Sequence, residues 1–169
     1  MSEEIFDVVD QADQVLFQAP RSVVHANGWL HRAVHIFVFN SRGELLIHRR
    51  SATKDEAPLK CTSSASGHLS AGEDYATAAV RELEEELGLK ATVEFLGIFP
   101  ADGANTAFEH SGLYRAITDD TPTFDPGEIL SGAFRPIHEI EQMVANDPDD
   151  FTACFRALFQ WYLERFKKI

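Results

Sequence analysis

Residues 67–89 read GHLSAGEDYATAAVRELEEELGL, and this stretch decides the fold. The pattern predicts a helix that begins near Asp74 and stops at Gly88, a residue suited to ending helices. On such a helix Ala76, Val80, Leu83 and Leu87 recur at steps of four and three, predicting one apolar face packed on a sheet. Glu82, Glu85 and Glu86 fall at i, i+3 and i+4 and make a second, adjacent face bearing three carboxylates. Arg81 reaches Glu85 at i+4, but one cation cannot balance three anions. Glutamate is a good helix former, so the helix taken alone reads as a solvated acidic surface. The cluster is also what a hard divalent cation requires. Magnesium in particular takes carboxylates, retained waters and substrate phosphate oxygens rather than a complete protein cage.

Outward from this helix, strands and helices interleave. Residues 32–40 are rich in β-branched and aromatic side chains and read as a strand; Ser41-Arg42-Gly43 is a turn, and residues 44–48 return as a hairpin partner. Residues 49–60 are polar, contain Pro58, and read as a loop. Residues 92–99, 111–118 and 128–134 are further strands, with a Pro- and Gly-containing loop over 121–127. One helix follows Pro136, and another runs from about Asp149 to Phe166. Its stripe of Phe151, Cys154, Phe155, Leu158, Phe159 and Tyr162 reads as core packing rather than a ligand surface. Residues 5–9 and 15–17 suggest a short extended N-terminal region. The expected architecture is α/β, a mixed sheet covered by helices.

The 169 residues suffice for one domain with a substantial core. A net charge of −12 argues against gripping a nucleic-acid polymer, while leaving small anionic ligands open. No apolar run approaches membrane-spanning length, and the acidic N-terminus lacks a secretory layout. Cys61 and Cys154 are far apart and form neither a metal spacing nor a disulfide framework, so a cytoplasmic protein is expected.

Gly67, five residues, Glu73, seven residues, Arg81-Glu82-Leu83, one residue, Glu85-Glu86, one residue, then Gly88-Leu89 matches the Nudix box at every defined position. By this resemblance the chain is identified as a member of the Nudix superfamily. The resemblance implies a Nudix α/β/α sandwich spanning 1–169, with the box at 67–89 and residues 1–30 packing on it as an extension. It implies that Glu82, Glu85 and Glu86 bind metal, with the Gly67 carbonyl adding a ligand, and that Glu73 and Arg81 form an ion pair fixing the box. The expected activity is hydrolysis of a small-molecule diphosphate of the nucleoside diphosphate-X type or a related one. Magnesium is the expected cofactor, with manganese as the alternative. Glu85, Glu82 and Arg81 are the expected catalytic residues. The general base is left open among Glu85, Glu109 and Glu128, and either late glutamate is a candidate to complete the metal site.

Residues 31–35, 48–54 and Ser66-Gly67-His68 are further similar to the isopentenyl-diphosphate isomerase branch. That similarity implies that Arg50 and Lys54 hold the diphosphate, with His68 at the substrate; a solvated basic loop is the plain alternative. His25, His31 and His68 match histidines that bind metal in the isomerases, and a supporting or substrate-contact role is the other reading. Ser66 stands where the isomerases carry a catalytic cysteine, and a hydroxyl is a far weaker acid than a thiol. Glu109 stands alone where they carry a Glu-x-Glu pair, with Ala107 in the other slot. Hydrolysis is therefore expected over isomerisation. The extended N-terminal residues leave a homodimer open.

Overall fold

The computed structural model describes residues 2–167. Its elements run β1 (Ile5–Val9), β2 (Val15–Pro20), α1 (Arg21–Asn27), β3 (His31–Phe39), β4 (Leu45–Arg50), β5 (Cys61–Thr62), β6 (Ala65–His68), α2 (Tyr75–Leu87), β7 (Glu94–Phe99), β8 (Glu109–Ile117), β9 (Ile129–Arg135), α3 (Ile137–Asn146) and α4 (Ala153–Phe166). Seven strands form one sheet in the order β5-β4-β3-β8-β7, with β6 paired to β3 and β9 to β4. Strands β3 and β8 run parallel and the remaining pairs are antiparallel, so the sheet is mixed.

The continuous apolar run of β3 explains the layering, because a strand buried on both faces serves two cores. Val34, Ile36 and Val38 join Ala78, Ala79, Leu83 and Leu87 of α2. Phe37 joins Ile140 of α3 and Phe155, Leu158 and Phe159 of α4. Helices thus cover both faces of the sheet, the α/β/α sandwich expected. The aromatic stripe of α4 is core as expected, with Phe151, Phe155 and Phe159 stacked in series. The helix begins later than expected. A short 3-10 turn occupies Pro148–Asp150, and Thr152 caps α4 by accepting a bond from the Phe155 amide.

Three local readings are corrected. The hairpin of β3 with β4 meets only at Phe39 and Leu45, because β6 takes the facing edge of β3 from Ala33 to Ile36. Strand β4 splays away to pair with β9 and runs on to Arg50, so Arg49 and Arg50 end a strand rather than begin a loop. On α2 the buried arc is Ala78, Ala79, Glu82, Leu83, Glu86 and Leu87, while Ala76 is exposed and Val80 is 49% exposed. The helix is turned so that two glutamates, not two of the expected apolar residues, face inward.

The N-terminal residues form more than an extended segment. Strands β1 and β2 pair antiparallel, α1 follows, and Phe6, Val8, Ala19 and Val24 make a small core of their own. This unit packs on the loop before α2 through Ala71 N donating to Ile5 O (2.8 Å) and Gly72 N to Asp7 Oδ2 (2.8 Å). No described helix is long and apolar enough to cross a membrane.

Candidate active site

Helix α2 starts and stops where the sequence places it. Asp74 accepts the Thr77 amide at 2.8 Å, and Gly88 closes the end with φ 62°, a conformation that glycine adopts without strain. These caps fix the rotation of the carboxylates. Glu82 and Glu86 are buried at 8% and 5% exposure, whereas the Glu85 side chain is 59% exposed and reaches solvent. Glu86 accepts the Ser66 amide at 3.1 Å, tying the helix to β6. Gly67 faces Glu82 so closely that an added Cβ would stand 2.1 Å from its carboxyl carbon. The strand carries glycine there because the carboxylate occupies the space of a side chain.

Arg81 organises this cluster. It grips Glu73 with two bonds, 2.9 and 2.8 Å, and donates to Glu82 (2.7 Å), Glu85 (3.0 Å) and the His68 carbonyl (2.9 Å). The Glu73–Arg81 pair is the one the box resemblance implies, and it joins the loop to the helix. Arg81 also serves as partner to two of the three clustered glutamates, a fuller role than its i+4 reach to Glu85 alone. The remaining charge is poorly compensated. Burial pushes the Glu82 carboxyl up to about 7 against the pull of Arg81. Burial, then the Glu82 charge, pushes Glu86 well above its ordinary value. Buried carboxylates short of cations, with hard oxygen donors facing a cavity, fit a divalent ion such as magnesium or manganese.

The cavity beside the cluster has a volume of about 930 Å³ and is lined by Glu82, Glu85, Glu86 and by Arg50, Lys54 and Glu128. The structure thus brings the two cations of the Arg50/Lys54 element to the carboxylates. Lys54 is paired with Glu128, and Arg50 Nε donates to the Glu56 carbonyl at 3.1 Å. Glu128 lines the same cavity as the box glutamates. Glu109 also lines the cavity but belongs to another group.

That group is His25, His31 and His68, whose ligand atoms all lie within 4.8 Å of one another, with Phe6 packed against the three rings. Glu109 accepts from His68 Nε2 at 2.9 Å and stands 3.7 Å from His31 Nε2. Burial works most strongly against a charged His68 ring, but the hydrogen bond to Glu109 and the Glu109 charge together outweigh it and raise its pKa. The reciprocal contacts overcome burial and hold Glu109 well below its usual range. His25 Nε2 and His31 Nε2 are buried without a hydrogen-bond partner among the described residues, an arrangement that water or a ligand ordinarily satisfies. His25 arrives from α1, a helix the sequence reading did not anticipate.

A second pair escaped the sequence reading. Cys154 Sγ lies 3.3 Å from His35 Nε2, and His35 Nδ1 lies 2.9 Å from Ser63 Oγ; Cys154 and His35 line the cavity. Burial lowers His35 to about 4 and raises Cys154 to about 12, so both are neutral. The two residues are 119 positions apart and share no spacing, so only the fold reveals the pair. Ser66 also lines the cavity.

A NUDIX domain family model matches residues 29–155. An isopentenyl-diphosphate Delta-isomerase of Pectobacterium atrosepticum is 33% identical over 90% of this chain and 87% of its own. An uncharacterized Nudix hydrolase of Streptomyces coelicolor is 34% identical over 83% of this chain and 78% of its own. Among solved structures, a Deinococcus radiodurans protein aligns with TM-score 0.76 and 31% identity, covering 85% of this chain and 90% of that one. A MutT protein of Methanosarcina mazei shares the fold at TM-score 0.68 and 19% identity, covering 80% and 94%.

Proposed function

The chain belongs to the Nudix hydrolase family, and on that premise we propose that it hydrolyses a phosphoric anhydride in a small-molecule diphosphate with magnesium as cofactor. The observation that carries this reading is the pair of buried, under-compensated carboxylates, Glu82 and Glu86, opening with Glu85 on a cavity that also holds Arg50 and Lys54. Glu82, Glu85, Glu86 and the Gly67 carbonyl are the proposed cation ligands. When bound there, the ion neutralises phosphate charge and lowers the pKa of attacking water.

The protein's own groups do the rest. Arg50 and Lys54 orient the distal phosphate, Lys54 exchanging Glu128 for a phosphate oxygen. Arg81, locked by Glu73, fixes the directions of Glu82 and Glu85. Water oxygen bonds to phosphorus, the bridging P–O bond breaks, and the departing phosphate carries away its electron pair while one proton is released. Glu85, reached by solvent, and Glu128, released by Lys54, are the proposed proton acceptors. Glu109 is assigned instead to the histidine group, because its carboxylate is already committed to His68. The unpartnered nitrogens of His25 and His31 support a second cation there, a softer one suited to imidazole.

The likeness to named isomerases over most of the chain favours one second reading, rearrangement of an allylic diphosphate without phosphate release. Incubation with a panel of diphosphates plus magnesium, following phosphate and organic product together, separates the two. Phosphate release that Glu85→Gln lowers by orders of magnitude, and Ser66→Ala barely changes, is the expected result. Isomerised product without phosphate, lost in Ser66→Ala, reverses the assignment.

A further inference from the structure

The cavity at the carboxylate cluster is lined unlike the rest of the molecule. The chain carries 13 Phe, 3 Tyr and 2 Trp. Among the described residues that line this cavity there is no aromatic Phe, Tyr or Trp, and no aliphatic side chain larger than alanine. Small-molecule sites are ordinarily lined mainly by apolar and aromatic groups with a few polar ones between them. Here Ala33, His35, Thr62, Thr152, Ala153 and Cys154 are small or polar.

This lining offers little to two common diphosphate classes. A nucleobase gains much of its affinity by stacking on an aromatic or guanidinium plane. The lining arginines direct in-plane N–H groups at protein acceptors, Arg21 at Asp55 (2.9 Å), Arg50 through Nε at the Glu56 carbonyl (3.1 Å) and Arg81 at its glutamates, and among the described lining residues no Phe, Tyr or Trp ring adds a stacking face to them. The His35 ring is held at both nitrogens, and the His68 ring packs on Phe6. A hydrocarbon tail gains affinity by burying apolar surface, and alanine methyls supply little of it. Hydroxyl groups find better partners. Thr62 and Thr152 meet through their hydroxyls at 3.0 Å, and Thr53 and Ser66 add further hydroxyls to the lining. Each hydroxyl retains capacity for a further bond.

We infer that the organic part of the substrate is a hydroxylated carbon skeleton, a sugar or polyol bearing the diphosphate, because the described lining of the cavity at the carboxylates offers hydrogen-bonding groups but no Phe, Tyr or Trp ring and no aliphatic side chain larger than alanine. The inference rests on the diphosphate-hydrolase reading and narrows its substrate.

Ribose 5-diphosphate and ADP make a matched pair, ADP carrying adenine in place of the anomeric hydroxyl; isopentenyl diphosphate supplies the hydrocarbon case. Wild-type protein with magnesium should release phosphate from ribose 5-diphosphate with kcat/KM about tenfold or more above both others. ADP or isopentenyl diphosphate equal to or better than ribose 5-diphosphate overturns the inference while leaving the hydrolase reading intact. Release from none of the three, by folded protein, sinks the hydrolase reading as applied to these diphosphates. Calorimetric binding of ribose 5-phosphate and AMP then still judges recognition, since tighter AMP contradicts the inference. Cys154→Phe plants a ring on the wall. With an unchanged melting profile, it should lower kcat/KM for ribose 5-diphosphate and narrow the gap to ADP.

Discussion

At the scale of single residues, the site is a compromise between space and charge. Gly67 leaves room for Glu82, and the atoms an alanine methyl would strike belong to that carboxylate rather than to backbone. A flexible side chain can move aside, so Gly67→Ala should cost the fold little, within about 1 kcal/mol. Displacing Glu82 from Arg81 should nonetheless cut magnesium-dependent turnover by about a hundredfold or more. Near-normal turnover would show that the position of Glu82 does not matter.

Buried histidines make a different prediction. His48, 2% exposed, faces the Ser64 carbonyl at 2.9 Å through Nδ1, and burial lowers its pKa to about 4. Its ring is neutral in the fold, whereas the unfolded ring takes a proton near pH 6.5. The stabilisation is therefore complete above pH 6.5 and is lost as pH falls towards 4, up to about 3 kcal/mol. The raised carboxyls of Glu82 and Glu86 act in the opposite sense, so the melting temperature of wild type alone mixes the two. NMR of the imidazole nitrogens isolates the ring: His48 should remain neutral at pH 5.5, and a charged ring there would contradict its burial.

At the scale of elements, α2 shows what a helical pattern can and cannot disclose. Its ends were legible because Asp74 and Gly88 have local jobs at a helix start and stop. Its rotation was not, because counting apolar residues placed Val80 inside and set Glu82 and Glu86 on a separate face beside the packed one. A buried glutamate is rare without a partner or a ligand, so functional need overrode hydrophobic periodicity here. Val80→Ala should therefore change stability by no more than about 0.5 kcal/mol, and Leu83→Ala by about 2–5 kcal/mol, in urea unfolding. Equal costs would restore the expected apolar face. Strand β6 escaped notice for a simpler reason. Ala65-Ser66-Gly67-His68 lacks β-branched residues, and its strand geometry comes from pairing with β3.

At the scale of the whole molecule, the sandwich and the carboxylate cluster were legible, while the convergence of distant segments was not. Residues 67–89 encode spacing along one helix, which chemistry can read directly. His35 from β3 and Cys154 from α4 meet at the cavity, and His25 from α1 meets His31 and His68, only after the sheet and the helices have assembled. The departures at Ser66 and Ala107 could be seen in the sequence, but the small, polar wall could not, because no single segment carries it.

The central claim is that Glu82, Glu85 and Glu86 hold a divalent ion beside the cavity. Anomalous diffraction from a crystal of the protein grown with manganese and a non-hydrolysable diphosphate measures this directly. The account predicts an anomalous peak in coordination contact with the carboxylates of α2 and the Gly67 carbonyl, whether or not a second peak lies among the histidines. Density at the histidines alone, or none at the α2 carboxylates, would contradict it.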